Sequence, residues 1–196
     1  MSDKRTYPRS LRLQDRTIDL EPMTRADRDD LLDLAQDLPP HDLLFMRRQI
    51  TRSEDLDTWL SEIDAGHVVT LLARDGEALV GYATVDRSRL PWSRHVAELR
   101  VVVRADRRGQ GLGRALTQEA FALALSEGIE KMMARMTLDQ KGAIAVFEGL
   151  GFRPEALLRD HVKDSQGVKH DLVVMSHDVQ EFGTTLASYG VADALG

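Results

Sequence analysis

Arg108-Gly109-Gln110-Gly111-Leu112-Gly113-Arg114 is the stretch of this chain best suited to hold an anion. Three alternate glycines sit where a valine-rich run gives way to a segment of helical periodicity, and Arg104, Arg107 and Arg108 precede them. The first main-chain N–H groups of a helix have no internal acceptor and carry the positive end of its dipole. A loop without side-chain obstruction can wrap those donors round a phosphate. The plainer alternative is a tight loop whose Gly113 lets helix and strand pack closely, and the glycines alone leave both readings open. Two nucleotide motifs do not fit. A Walker loop ends Gly-Lys-Ser/Thr, whereas Gly113 is followed by Arg114-Ala115. A dinucleotide fingerprint starting at Gly111 needs glycine or alanine at position 116, which is leucine.

Upstream, Glu98 and Arg100 interrupt the otherwise apolar run Val96-Ala97-Glu98-Leu99-Arg100-Val101-Val102-Val103. A carboxylate there implies that one strand face meets a cleft or solvent. It is either an acid–base group or a surface glutamate paired with Arg100, two residues along on the same face. His95, at odd spacing, points to the other face and reads as structural. The histidines show no HExxH or comparable ligand spacing, so no metal site is expected. The chain has no cysteine, which removes disulfides, thiolate metal sites and cysteine nucleophiles.

The elements that must position these residues are legible from periodicity. Residues 1–16 are polar and arginine-rich and read as a tail or extended lead-in, followed by a short strand at Thr17–Met23. Thr24 and Asp27 form the N-terminal signature of a helix that Pro39-Pro40 stops, and the charge run Arg25–Asp30 reads as its solvated start. A second helix, with Ser53 as cap, ends at Gly66. Val68–Ala73 and Ala78–Val85 form a hairpin around Asp75-Gly76. A strand through residues 96–103 then feeds the glycine loop, and Leu112, Ala115, Leu116, Ala120 and Leu123 recur at helical spacing. A strand over 131–138, a short helix closed by Gly151 and two further strands complete the order β-α-α-β-β-β-α-β-α-β-β, with Met132, Met133 and Met136 as core. The fold class is α/β, an α+β mixed sheet flanked by helices, with hairpins antiparallel and the strand–helix–strand unit around Gly111 parallel.

Arg108-x-x-Gly111-x-Gly113 between a strand and an amphipathic helix resembles the acetyl-CoA pyrophosphate loop of the GNAT N-acetyltransferase superfamily, whose pattern is Q/R-x-x-G-x-G/A. The stretch Gln140 to Phe152 resembles the family's N-x-x-A-x-x-x-Y…GF helix, with Gly151-Phe152 in place. The resemblance spans about residues 17–178, leaving 1–16 as a tail and 179–196 as a C-terminal extension. It implies the GNAT fold with its central mixed β-sheet. It further implies acetyl-CoA as cosubstrate, its pyrophosphate on Arg108, Gly109, Gln110, Gly111, Leu112, Gly113 and Arg114. Its pantetheine arm would lie along Val101, Val102 and Val103, as an added strand would.

Glu98 matches the position of the family's glutamate, which assists deprotonation of a primary amine directly or through water. An N–H near Val101 would face the carbonyl oxygen as it becomes negative. Two positions depart from the pattern. The tyrosine that protonates the departing thiolate is replaced by Phe147, and the asparagine seven residues earlier by Gln140. Both stay in the implied cofactor site, Phe147 as packing against the arm. Tyr82, Tyr189, His161 or solvent are the remaining proton sources. The acceptor would be gripped by residues 38–48 or 87–95, where Phe45 and Trp92 either line a cleft or pack as ordinary loop aromatics.

The implied activity is acetyl transfer to a primary amine of a small molecule or of a protein lysine or N-terminus. A second reading, motivated by Phe147 and Gln140, is an acyl-CoA-binding sensor or regulatory domain with weak or no catalysis. A net charge of −6 over 196 residues argues against a nucleic-acid partner. The polar N-terminus lacks a signal-peptide core and no apolar run approaches a membrane span, so no membrane partner and a cytoplasmic location are expected. A homodimer is left open.

Overall fold

The computed structural model describes residues 5–39, 42, 43, 46 and 50–179. In chain order these form β1 (Arg9–Leu13), β2 (Arg16–Pro22), α1 (Arg28–Asp37), α2 (Ser53–Asp64), β3 (Val68–Asp75), β4 (Ala78–Arg87), β5 (Val96–Val103), α3 (Leu112–Ser126), β6 (Lys131–Thr137), α4 (Lys141–Glu148), β7 (Arg153–Lys163) and β8 (Lys169–Asp178). The strands make one sheet in the order β1-β2-β3-β4-β5-β6-β8-β7. Only β5 and β6 pair in parallel, as the strand–helix–strand unit requires; the other neighbours are antiparallel. The mixed α/β class expected from the element order is thus observed.

β1 is an addition to the expected order. It lies inside the polar lead-in, where only Leu11 and Leu13 alternate among arginines, too short an apolar signal to declare a strand. Pairing supplies the missing stability: Leu11 lies opposite Ile18 across the β1–β2 ladder, and both are buried in the core. Glu119, on α3 and 3% exposed, anchors the same segment. It accepts hydrogen bonds from the Arg5 guanidinium and, at 2.7 Å, from the Tyr7 hydroxyl, with Arg9 at 3.6 Å.

Two helix starts differ in detail from expectation. The reciprocal Thr24–Asp27 cap is present, Thr24 N–H donating to Asp27 at 2.7 Å and the Thr24 hydroxyl accepting from Ala26 N–H at 3.3 Å. It closes a 3-10 turn, Arg25–Asp27, that leads into α1. Asp27 is not solvated, however: it is buried and bonded to Arg74 Nη2 at 2.6 Å. Ser53 is the first helical residue of α2 rather than its cap, Arg52 taking that place, because its hydroxyl accepts from the Arg28 guanidinium instead.

Apolar side chains alternate between the two faces of the sheet. One face packs Ala83, Leu99 and Met132 against Leu116, Ala120 and Phe121 of α3 and Phe147 of α4. The other packs Leu72, Tyr82 and Val102 against Leu31 and Leu34 of α1 and Leu56, Trp59 and Leu60 of α2. Each valine, leucine, methionine or phenylalanine among them contributes about 1.5–3 kcal/mol by leaving water. Alternation along β5 therefore sends Ala97, Leu99, Val101 and Val103 towards α3, and Glu98, Arg100 and Val102 towards α1 and α2. Met132 and Met136 are buried as expected, while Met133 is half-buried. Among the described residues no helix is long and apolar enough to cross a membrane.

Candidate active site

The parallel ladder between β5 and β6 is short. It joins Val96, Ala97 and Glu98 to Lys131, Met132 and Met133 and then ends, although β5 runs on to Val103 and β6 to Thr137. Each strand keeps its other neighbour: β4 follows β5 as far as Gly81 opposite Val103, and β8 follows β6 as far as Leu172 opposite Thr137. The two central strands therefore part beyond Glu98. Residues 99–103 carry a sheet edge with no strand partner on that side among the described residues. Backbone groups on such an edge can take an extended amide-bearing chain as a further strand.

β5 delivers the chain into the glycine loop. A 3-10 turn over Ala105–Arg107 is followed by Arg108 in extended conformation, Gly109 at φ +73° and Gly111 at φ +87°. Both glycine angles lie in the left-handed region that L side chains rarely adopt, and a Cβ on either would meet nothing within 4 Å. The glycines thus serve backbone direction and open approach. Gly111 is the residue before α3 and no side chain caps the helix. Its first turn-closing bond is Ala115 N–H to Gly111 O at 3.0 Å, which leaves the N–H groups of Leu112, Gly113 and Arg114 outside the helix ladder. The Cβ position at Gly113 lies 3.7 Å from Val103 Cγ2, an ordinary contact.

The arginines around the loop are engaged elsewhere. Arg104 grips Asp106 through two bonds of 2.7 and 2.9 Å and holds that carboxyl below its usual range. Arg107 lies 3.1 Å from Asp75, and Arg108 donates to Asp42 and, at 3.2 Å, to the Val103 carbonyl. Gln110 turns back onto the Asp106 carbonyl at 3.1 Å, and Arg114 reaches the Gly149 carbonyl at 3.5 Å. With carboxylates beside three of the four arginines, the loop's donors towards an incoming anion are chiefly its main-chain N–H groups.

Glu98 lies at the point of divergence and lines a cleft with Met46, Trp59, Tyr82, Thr84, Asp86 and Arg100. Its side chain is 18% exposed, with Arg100 Nη2 and Arg135 Nη1 each 3.7 Å from a carboxylate oxygen. The pairing with Arg100 and the cleft position are therefore both real, and at 3.7 Å neither arginine makes a direct hydrogen bond.

Other residues singled out by sequence are dispersed. Gln140 precedes α4, where its side-chain oxygen accepts from Thr137 N–H at 3.1 Å. Phe147 is 6% exposed and packs edge-on against Phe152, centroids 4.7 Å apart, so its ring belongs to the core on the α3–α4 face. Val102 faces α1 and α2, while Val101 and Val103 face α3. Tyr82 lines the cleft, its hydroxyl 4.0 Å from Met46 Sδ. His161 is exposed on β7, separated from β6 by β8. Trp92 is 75% exposed on a short turn before β5 and is not among the residues lining the cleft. Phe45 and Tyr189 lie outside the described residues.

Asp86 was not anticipated. It sits directly opposite Glu98 in the β4–β5 register, 8% exposed, in the same cleft. Its signal in the sequence is an aspartate at the end of an apolar strand, which reads equally as the start of a turn. Among the described residues no group of three or more His, Asp or Glu could hold a metal ion.

A family model described as the acetyltransferase (GNAT) family matches residues 28–152. The structure of ribosomal-protein-alanine N-acetyltransferase from Brucella melitensis is similar with a TM-score of 0.72 at 24% identity, over 81% of this chain and 98% of that one. That of yncA from Salmonella typhimurium, with its cofactor acetyl-CoA, has a TM-score of 0.72 at 20% identity, over 83% and 94% of the two chains. Spermidine N-acetyltransferase from Vibrio cholerae, in complex with CoA and spermine, has a TM-score of 0.72 at 16% identity, over 84% and 97%. At these identities the likeness is one of fold. No curated protein matches the chain.

Proposed function

The chain belongs to the acetyltransferase (GNAT) family, and from that premise we propose that it is an acetyl-CoA-dependent N-acetyltransferase acting on a primary amine. The observation that carries this reading is the parting of β5 and β6 beyond Glu98, beside a helix start whose first N–H groups lack a side-chain cap. The residues present fit the coenzyme. Glycines 109 and 111 leave open space where a side chain would stand, and the N–H groups of residues 109–114 would hold its pyrophosphate. The free edge of Val101, Val102 and Val103 would pair with the amides of its arm. Bound there, acetyl-CoA supplies an acetyl thioester.

An amine of lysine type has a pKa of about 10.4, so it reaches the site protonated and must lose a proton before it can attack. Glu98 stands where the two strands part and takes that proton, directly or through a water. A main-chain N–H near Val101 stabilises negative charge on the carbonyl oxygen. A thiol of pKa about 8.5 leaves tolerably as thiolate near neutrality, so the lack of a phenol at Phe147 slows the reaction without forbidding it. That CoA and spermine occupy a structure of the same fold, and that another is named for the alanine of ribosomal proteins, supports an amine acceptor.

The absence of a hydroxyl on core-packed Phe147 favours a second reading, an acyl-CoA-binding regulatory domain. Thiol release from acetyl-CoA over a panel of amines and peptides decides between them. Amine-dependent release that falls by a factor of about 10²–10⁴ in Glu98→Gln supports the enzyme. CoA binding without amine-dependent release from any acceptor supports the sensor.

A further inference from the structure

We propose that Asp42 is a counter-anion built into the fold for the coenzyme loop: its carboxylate holds Arg108 and must yield it to the diphosphate of CoA. This rests on the acetyltransferase reading above. Asp42 lies between α1 and α2, 66 residues from Arg108, and only 20% of its side chain is exposed. Its N–H donates to the Pro39 carbonyl at 2.9 Å, in a turn stiffened by the fixed φ of proline. Its carboxylate accepts from Arg108 Nη2. A partly exposed ion pair of this kind adds little to folding stability, so its larger effect falls on what else can occupy Arg108.

Arg108 is well placed for such an exchange. Its side chain is 47% exposed, against 21% for Arg104 and 18% for Arg107. It stands directly before Gly109, where a Cβ would meet nothing within 4 Å. Its Nε donates to the Val103 carbonyl at 3.2 Å. That bond fixes the guanidinium where the free edge of β5 gives way to the main-chain donors of residues 109–114. A guanidinium fork matches carboxylate and phosphate alike, so Asp42 already occupies the group that a phosphate at this corner would use. Asp37, at the end of α1, lies 3.9 Å from Arg104, beyond hydrogen-bonding reach, and offers no comparable exchange.

The exchange of one anion for another sets the sign of the effect. A diphosphate carries more negative charge than a single carboxylate and also meets the N–H groups of the helix start, so Asp42 gives way to it. Part of that attraction is offset by the ion pair that breaks. Asp42 therefore holds coenzyme affinity below what the loop's own donors would give. The same pair re-forms as CoA leaves, which favours release of the thiol product after acetyl transfer.

The test titrates CoA into the full chain by calorimetry. Asp42→Asn should lower the Kd for CoA about two- to fivefold, the factor expected from losing one partly exposed ion pair. Arg108→Gln should raise Kd, and adding Asp42→Asn to it should change Kd by less than about 1.5-fold, since the two act as a coupled pair. Asp37→Asn removes the same charge from the end of α1 and should also stay within about 1.5-fold, because salt screens a charge that makes no contact. 3′-Dephospho-CoA, which keeps the diphosphate, should show the same gain in Asp42→Asn. Should that variant not fold, the wild type decides: the side-chain carboxyl carbon resonance of Asp42 should move on CoA addition towards that of a solvated carboxylate. Unchanged or weaker CoA binding in Asp42→Asn, an equal gain in the Arg108→Gln background or from Asp37→Asn, no weakening in Arg108→Gln, a gain lost with 3′-dephospho-CoA, or an unmoved Asp42 resonance overturns the role of Asp42 and leaves the acetyltransferase reading standing. Failure of the wild type to bind CoA overturns that reading itself.

Discussion

Replacing Gly111 by alanine separates the loop's backbone conformation from its binding. Gly111 sits at φ +87° with open space where a Cβ would be, so the cost to the folded state is the left-handed strain alone, roughly 1–2 kcal/mol for an L residue. For a domain of this size 1 kcal/mol moves Tm by about 2–4 °C, giving a loss of about 2–8 °C. Gly66 is the control: φ +71°, equally open, but just before β3, at the end of the sheet away from the loop. Gly66→Ala should lose similar stability and keep CoA affinity. Gly111→Ala should also bind CoA more weakly. Relief of its strain swings a main-chain donor off the pyrophosphate, and a hydrogen bond to a charged group contributes about 1.5–3 kcal/mol, or roughly 10–100-fold in Kd. Calorimetric melting and titration with CoA measure both effects. A Gly111→Ala protein with lowered Tm and wild-type CoA affinity would refute the assignment of these donors.

Three further outcomes are expected. Glu98→Gln should lower kcat by about 10²–10⁴ while CoA binding by titration stays intact. Glu119→Gln should lower unfolding free energy by about 1.5–3 kcal/mol, and a double-mutant cycle with Tyr7→Phe should show coupling; additive losses would deny the Glu119–Tyr7 bond a role in holding β1. For Asp27, burial raises the carboxyl pKa, but bonds from Thr24 and Arg74 outweigh it and hold it below its usual value. A depressed carboxylate stabilises above its unfolded pKa of about 3.9 and loses that contribution as pH falls through the folded value. Resistance to urea unfolding should therefore weaken below about pH 4, less steeply in Asp27→Asn; identical slopes would contradict the shift.

The parts of this molecule legible in its sequence are those set by local chemistry. Glycines at 109, 111 and 113 declare a loop free of side-chain obstruction, Thr24 and Asp27 a reciprocal cap, and the spacing of Leu112, Leu116 and Ala120 a core-facing helix. What stayed hidden depends on register and tertiary neighbours. β1 has two apolar residues among arginines and becomes a strand because β2 and Glu119 are there to receive it. Asp27 lies in a charge run and is buried because Arg74 arrives from β3. The apposition of Asp86 and Glu98 follows from the β4–β5 register across a long connection. The parting of β5 from β6, on which the site depends, leaves no mark in either strand's periodicity.

Backbone amide exchange with and without CoA tests the central claim most directly. Residues 109–114 should gain protection when CoA is added, joined by part of 99–103, while amides at the opposite end of β5, around His67 and His95, should not change. Unaltered exchange in 109–114 under saturating CoA, or protection arising only elsewhere, would contradict pyrophosphate binding by the loop between β5 and α3.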